Sequence, residues 1–147
     1  MTIEGAHTKG TETGSIVISV DGRTVVTRGG DDTVKRMLFS LLKIHAAHEL
    51  WVVWDLRSFK KPLATRAEVA TLYPNTNAMF SPDDRHVITG AGATAKGGKG
   101  KLMFLGKDGL DVVKALEVES TPVKVHWHSK INQVRFLLGT DCTRPIY

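Results

Sequence analysis

The chain has 147 residues, 41% hydrophobic and 24% charged, with a formal net charge of +5; that balance fits one ordinary soluble domain and excludes wholesale disorder. Its one cysteine, Cys142, rules out an internal disulfide and points to a reducing compartment. The N-terminus, from Met1 to Gly5, lacks the basic and apolar runs of a secretory signal. The most apolar window, from Met37 to Val53, is interrupted by Lys43, His45, His48 and Glu49, which excludes a membrane span of about 20 apolar residues.

In chain order, residues 1–14 carry no apolar periodicity and read as a linker or disordered lead. The first structured phrase runs from Ile16 to Thr27: a short strand, the turn Asp21-Gly22, then a β-branched strand. Asp and Gly pre-set turn dihedrals, so this is a hairpin signal with a mechanism. Asp31 follows in the next turn, placed to accept hydrogen bonds from turn backbone and from the preceding hairpin. Thr33, Val34 and Lys35 open a third strand. A Trp-Asp pair would normally close it one residue later, but eighteen residues separate Lys35 from Trp54. The excess, taken as an insert at residues 36–53, must loop out of the strand or break it, because a ladder cannot absorb it. Trp54 is expected to bury its ring between neighbouring repeats and to find an acceptor for its indole N–H. Within the insert, His45 and His48 would share one face of a helix. A third ligand at helical spacing is wanting, so no metal is assigned.

A second phrase runs from Asn77 to Gly90 around Pro82-Asp83-Asp84, and a third from Val123 to Val134 around Ser129-Lys130. Between them, the run from Gly90 to Lys101 is rich in glycine. It fails the phosphate-loop pattern, because Lys99 is followed by Gly100 and Lys101 by Leu102, and it joins two strands. It reads as a basic hairpin loop whose Lys96, Lys99 and Lys101 suit an acidic partner or nucleic acid. In the third phrase His126 and His128 share one side of a strand, with Trp127 opposite as a structural residue. Cys142 has no His or Asp at a recognisable spacing. No catalytic residue, cofactor or small-molecule substrate is assigned.

The three phrases form a repeat. Ser81 and His128 are 47 residues apart, and Ser19 and Ser81 are 62 apart. Removing the seventeen surplus residues brings the second interval to 45, against the roughly 40–45 residues of a propeller blade.

With the repeat in hand, the chain resembles the WD-repeat proteins, and among them the WD repeat-containing protein 70, or gastrulation-defective protein 1, family. The resemblance lies in the stretches from Arg28 to Lys35, Trp54 to Leu63, Tyr73 to Asn77, Phe80 to Asp84, Val87 to Gly90, Gly97 to Phe104 and Trp127 to Gln133. It covers roughly residues 15–35 and 54–140. It implies an all-β fold, a partial WD-repeat β-propeller of about two and a half four-stranded antiparallel blades. Blade one takes residues 15–65 with the insert 36–53, blade two residues 75–120, and an incomplete blade three residues 122–147. Two and a half blades cannot close a ring, so apolar faces and strand edges should lie open and weaken the isolated chain.

The resemblance further implies a non-catalytic, nuclear interaction scaffold that recruits substrates to a cullin–RING ubiquitin ligase in chromatin or DNA-damage work. A Trp-Asp-x-Arg ending resembles the docking signature for the adaptor subunit of such ligases, which makes Trp54, Asp55 and Arg57 the partner-binding candidates. Arg57 would offer a planar fork for a carboxylate or backbone carbonyls, or else merely cap the blade edge. Without the resemblance, a cytoplasmic location is the default. Two alternatives stand beside this reading. One is a basic nucleic-acid-binding module, distinguishable by steep salt dependence. The other is a non-functional mis-spliced product whose insert is a retained intron, distinguishable by sequencing the transcript across the insert.

Overall fold

A computed structural model describes residues 6–38, 40–46, 49–55, 62–73, 75–93 and 98–139, with backbone alone between 38 and 55. The described residues form strands and connecting turns throughout. Strands β1 (Thr13–Ile18), β2 (Thr24–Gly29) and β3 (Val34–Leu38) pair antiparallel in succession. A hairpin of β4 (Ser40–Ala46) and β5 (Glu49–Asp55) follows as a sheet of its own, and β6 (Ala64–Arg66) returns to pair with β3. The result is a four-stranded blade of order β1-β2-β3-β6. The second blade is made of β7 (Ala78–Phe80), β8 (His86–Ala91), β9 (Gly100–Gly106) and β10 (Val112–Val118), likewise antiparallel in sequence order. Strands β11 (Pro122–Trp127) and β12 (Val134–Leu138) form a two-stranded sheet beyond it.

Why blade two reads as nearly continuous apolar sequence follows from its place between neighbours. Successive residues on a strand point to opposite faces. On β8 and β9, Val87, Ala91, Met103 and Leu105 join the core shared with Val26 and Val34 of blade one. Their strand neighbours Ile88 and Leu102 face the other way, into a cluster with Val125 and half-buried Trp127. Both faces are covered, so both sets are apolar. Each fully buried Val or Leu contributes about 1.5–3 kcal/mol relative to exposure. Strand β1 has only one covered face: Val17 packs on the core, while Ile16 and Ile18 lie open. At the opposite flank Leu137 of β12 is open too.

Three expectations need correction. The third strand of blade one is not broken: its ladder stays whole, while the rest of the insert leaves it as the separate β4–β5 hairpin. It draws Arg36, Met37 and Leu38 from the start of the insert and stays paired with β2 from Val34 to Leu38. The physical reason is that Met37, on the face opposite Val34, pairs across the ladder with Val25, and both are buried. Second, the insert is a β-hairpin rather than a helix; His45 lies on β4 opposite Leu50, and His48 falls outside the described residues. Third, the lead expected to be a linker is docked from residue 6 onward: Gly30 N–H donates to Glu12 O (2.8 Å), and His7 lies against blade one.

Candidate functional site

Each full blade is pinned by the same turn. In the first, Ser19 Oγ donates to Asp21 Oδ1 (2.5 Å) and accepts from Thr24 N–H (2.9 Å). In the second, Ser81 Oγ donates to Asp83 Oδ1 (2.5 Å) and accepts from His86 N–H (2.9 Å). The turn needs a left-handed residue, and Gly22 (φ 68°) and Asp84 (φ 59°) supply it. The Ser19 hydroxyl, with the Arg23 N–H, lowers the Asp21 carboxyl to about 2. Ser81 lowers Asp83 in the same way. Lys107 joins the two turns, its Nζ 2.5 Å from Asp84 and 3.4 Å from Asp21. Burial would lower the Lys107 pKa, but these two carboxylates raise it. In the third sheet His128 replaces the serine, and its Nδ1 accepts from Lys130 N–H (3.1 Å).

Asp31, expected as a turn acceptor, is the centre of a closed polar network. It accepts from Thr33 Oγ1 (2.6 Å), from Thr8 N–H (2.9 Å) and from His7 Nδ1 (2.9 Å). Burial raises its pKa, but these donors outweigh burial and hold it well below the ordinary carboxylate range. Asp31 is therefore ionised and acceptor-only, which puts the proton on His7 Nδ1. His7 Nε2 in turn is hydrogen-bonded to Thr27 Oγ1 (2.8 Å). An Asp–His–Thr line of this kind can activate a hydroxyl. Here the His7 and Asp31 side chains are 3% and 7% exposed, and Thr27 is buried beneath them. No substrate can reach the hydroxyl, so the network locks the lead onto the blade. Sequence reading missed His7. The signal was the Gly-His half of the repeat signature, which is degenerate here as Ala6-His7.

The partner-binding candidates are divided by the structure. Trp54 and Asp55 end β5, opposite Leu41 and Ser40, in the separate hairpin. Arg57 lies outside the described residues. Trp54 is therefore not in the third strand of blade one, where Met37 holds the place two residues beyond Lys35. Trp127 lies on β11 and meets Phe104 of blade two edge-on, with ring centroids 5.8 Å apart at 88°. Asn77 ties the same two sheets: its Oδ1 accepts from Val125 N–H (2.7 Å) and its Nδ2 donates to Val125 O (3.0 Å).

Of the basic loop, Lys96 is outside the described residues, and Lys99 and Lys101 are exposed. Lys99 stands 3.7 Å from Glu117. Sequence reading also missed Arg28, which is fully buried on β2. Its Nη2 reaches Ala70 O (3.3 Å) and Gly90 O (3.5 Å), bridging the blades. Burial lowers its pKa to about 10, against the attraction of Asp32 and Asp31. Among the described residues no group of three His, Cys, Asp or Glu is placed to hold a metal ion.

No family model matches the chain. It is 36% identical over 143 residues to WD repeat-containing protein 70 of Xenopus tropicalis, covering 97% of this chain and 20% of that protein. It is 32% identical over 146 residues to the Gastrulation defective protein 1 homolog of Drosophila melanogaster, covering 99% of this chain and 20% of that protein. The β-propeller domain of Cps50 (Swd1) from Myceliophteria thermophila matches 86% of this chain and 35% of its own, with a TM-score of 0.54 and 11% identity, a likeness of fold alone. The chain spans about a fifth of the length of these curated relatives.

Proposed function

We propose that this chain, which resembles WD repeat-containing protein 70 and forms a partial β-propeller, acts as a non-catalytic scaffold for protein–protein contacts. The observation that carries this is the tandem of four-stranded blades stitched to one another by side chains. Such a frame holds surface loops rigidly and leaves its outer faces free to bind.

The finer reading is docking to the adaptor subunit of a cullin–RING ubiquitin ligase, in the nucleus, in chromatin or DNA-damage work. The sequence Trp54-Asp55-Leu56-Arg57 supports it, as does the resemblance. The test is co-purification of the chain with that adaptor subunit. We expect Arg57→Ala to cut recovery at least tenfold, by removing the planar fork. Deleting residues 37–53 would set Trp54 directly after Arg36, in the strand place now held by Met37, and should raise recovery. Equal recovery from all three proteins would overturn adaptor docking and leave the scaffold in place. A fluorescent fusion that stays outside the nucleus would overturn the nuclear reading. Binding to a short DNA duplex that falls steeply between 50 and 200 mM salt would favour the nucleic-acid alternative.

A further inference from the structure

The two blades do not meet evenly at their outer rim. Strand β6 stops after three residues at Arg66, and Glu68 (φ 61°) turns the chain out of the sheet in a left-handed conformation that no strand continues. Strand β10, on the far side of the gap, runs for seven residues. What remains is a cleft of about 510 Å³, in the range of about 300–1,000 Å³ typical of ligand sites. Arg66 borders it from blade one, with Lys99 and Lys101 across from it; Met103, Val112 and Ala115 supply apolar lining. Arg66 lines the cleft while its Nε is buried with no hydrogen-bond partner among the described residues, so its guanidinium is not fully satisfied within the blade.

We propose that this cleft docks an extended protein segment that carries a carboxylate beside apolar side chains. The proposal rests on the scaffold reading above and gives it a site. Arg66 and Lys101 take the carboxylate, and Met103, Val112 and Ala115 receive its apolar neighbour. The cleft already holds a stand-in: Glu117 pairs with Lys99 and lies directly opposite Lys101 in the ladder. An incoming carboxylate competes with Glu117 for these cations. The two carboxylates at the cleft, Glu68 and Glu117, disfavour a row of phosphates, and an apolar lining gives a phosphate backbone nothing to bind. The chemistry therefore favours protein over nucleic acid.

The test is fluorescence anisotropy on the whole chain, with a labelled peptide of alternating leucine and aspartate as probe and its asparagine counterpart as control. The aspartate peptide should bind at least tenfold more tightly than the control. Arg66→Gln should abolish that preference, and the exposed Lys101→Gln should reduce it severalfold should Arg66→Gln fail to fold. Glu117→Gln should tighten binding about threefold, which a purely structural Glu117 would not do. Equal affinity for the two peptides, binding unchanged in every variant, or binding of a DNA duplex in place of the peptide would each overturn the cleft proposal. None of these touches adaptor co-purification, so cleft binding and adaptor docking fall or stand separately.

Discussion

Blade one and blade two share a turn and a strand pattern, yet at one matched position they carry opposite residues. Counting from the shared serines, Thr27 and Arg28 of the first blade correspond to Thr89 and Gly90 of the second. Arg28 is fully buried and reaches across to the Gly90 carbonyl. Gly90 has no room for a side chain, because a Cβ there would lie 1.7 Å from the Pro122 carbonyl oxygen. The same place in the repeat is filled by a long side chain at one junction and by the next sheet's backbone at the other. The spacing between sheets is therefore set locally, by what fills this position, and a single residue can widen or close a junction.

The largest expected effect comes from emptying the first junction. Arg28→Ala leaves a large void and should cost about 4 kcal/mol, within the range for truncating long buried side chains. Arg28→Met keeps most of the volume and removes a charge that burial already disfavours, so it should change stability by about 1 kcal/mol or less. Chemical denaturation of both variants checks this; equal losses would mean that charge, not volume, holds the junction. Next, Gly90→Ala should cost about 3 kcal/mol, because the obstruction is backbone and cannot rotate away. Hydrogen exchange should place that loss in β11, where the Val125 amide loses its Asn77 acceptor. A loss confined to blade one would break the comparison.

The polar network distinguishes the blades again, with an effect of about 2 kcal/mol. His7→Ala strips Asp31 and Thr27 of a shared partner, and each buried group left unpaired is costly. The pH dependence has a definite sign. Asp31 is depressed in the folded state from an ordinary value near 3.8, so its contribution is complete above that pH and is lost as pH falls through the folded value. His7→Ala should shrink that acid-sensitive share. An unaltered acid-unfolding profile would show that the lead is not held by this network.

What was legible in the sequence was the turn chemistry, because Ser19-Val20-Asp21-Gly22 and Ser81-Pro82-Asp83-Asp84 fix dihedrals from within their own few residues. The blade tandem followed from their spacing. The place of Trp54 was not legible. The place across the ladder from buried Val25 asks for an apolar side chain, not for tryptophan, and Met37 meets that demand earlier in the chain. Arg28 was equally hidden, since an arginine beside Gly29 reads as a strand end in solvent until the second blade is set against it. His7 acts through a partner 24 residues away, and its one local mark, the Gly-His half of the repeat, is degenerate as Ala6-His7. Of the partner candidates, Trp54 and Asp55 were legible as residues but not as a site, because their presentation depends on which segment completes β3.

The smallest effect is the most direct test of whether the two blades are one unit repeated. Ser19→Ala and Ser81→Ala each remove a hydroxyl that donates to an aspartate and accepts from the residue five places on. Each should cost about 1 kcal/mol if the turn is a self-contained device. The first should also release Asp21 from about 2 towards 3.8, so the share of stability held above pH 4 and lost on acidification should shrink. Lys107 makes the two turns unequal, since it sits at 2.5 Å from Asp84 but 3.4 Å from Asp21. Ser81 acts on Asp83, the residue beside that contact, so its loss can reach across to blade one. In a Lys107→Ala background the two serine substitutions should therefore converge to the same cost. If they differ there as much as before, the turns are not equivalent copies, and the asymmetry between the blades begins within the hairpin rather than at the junction.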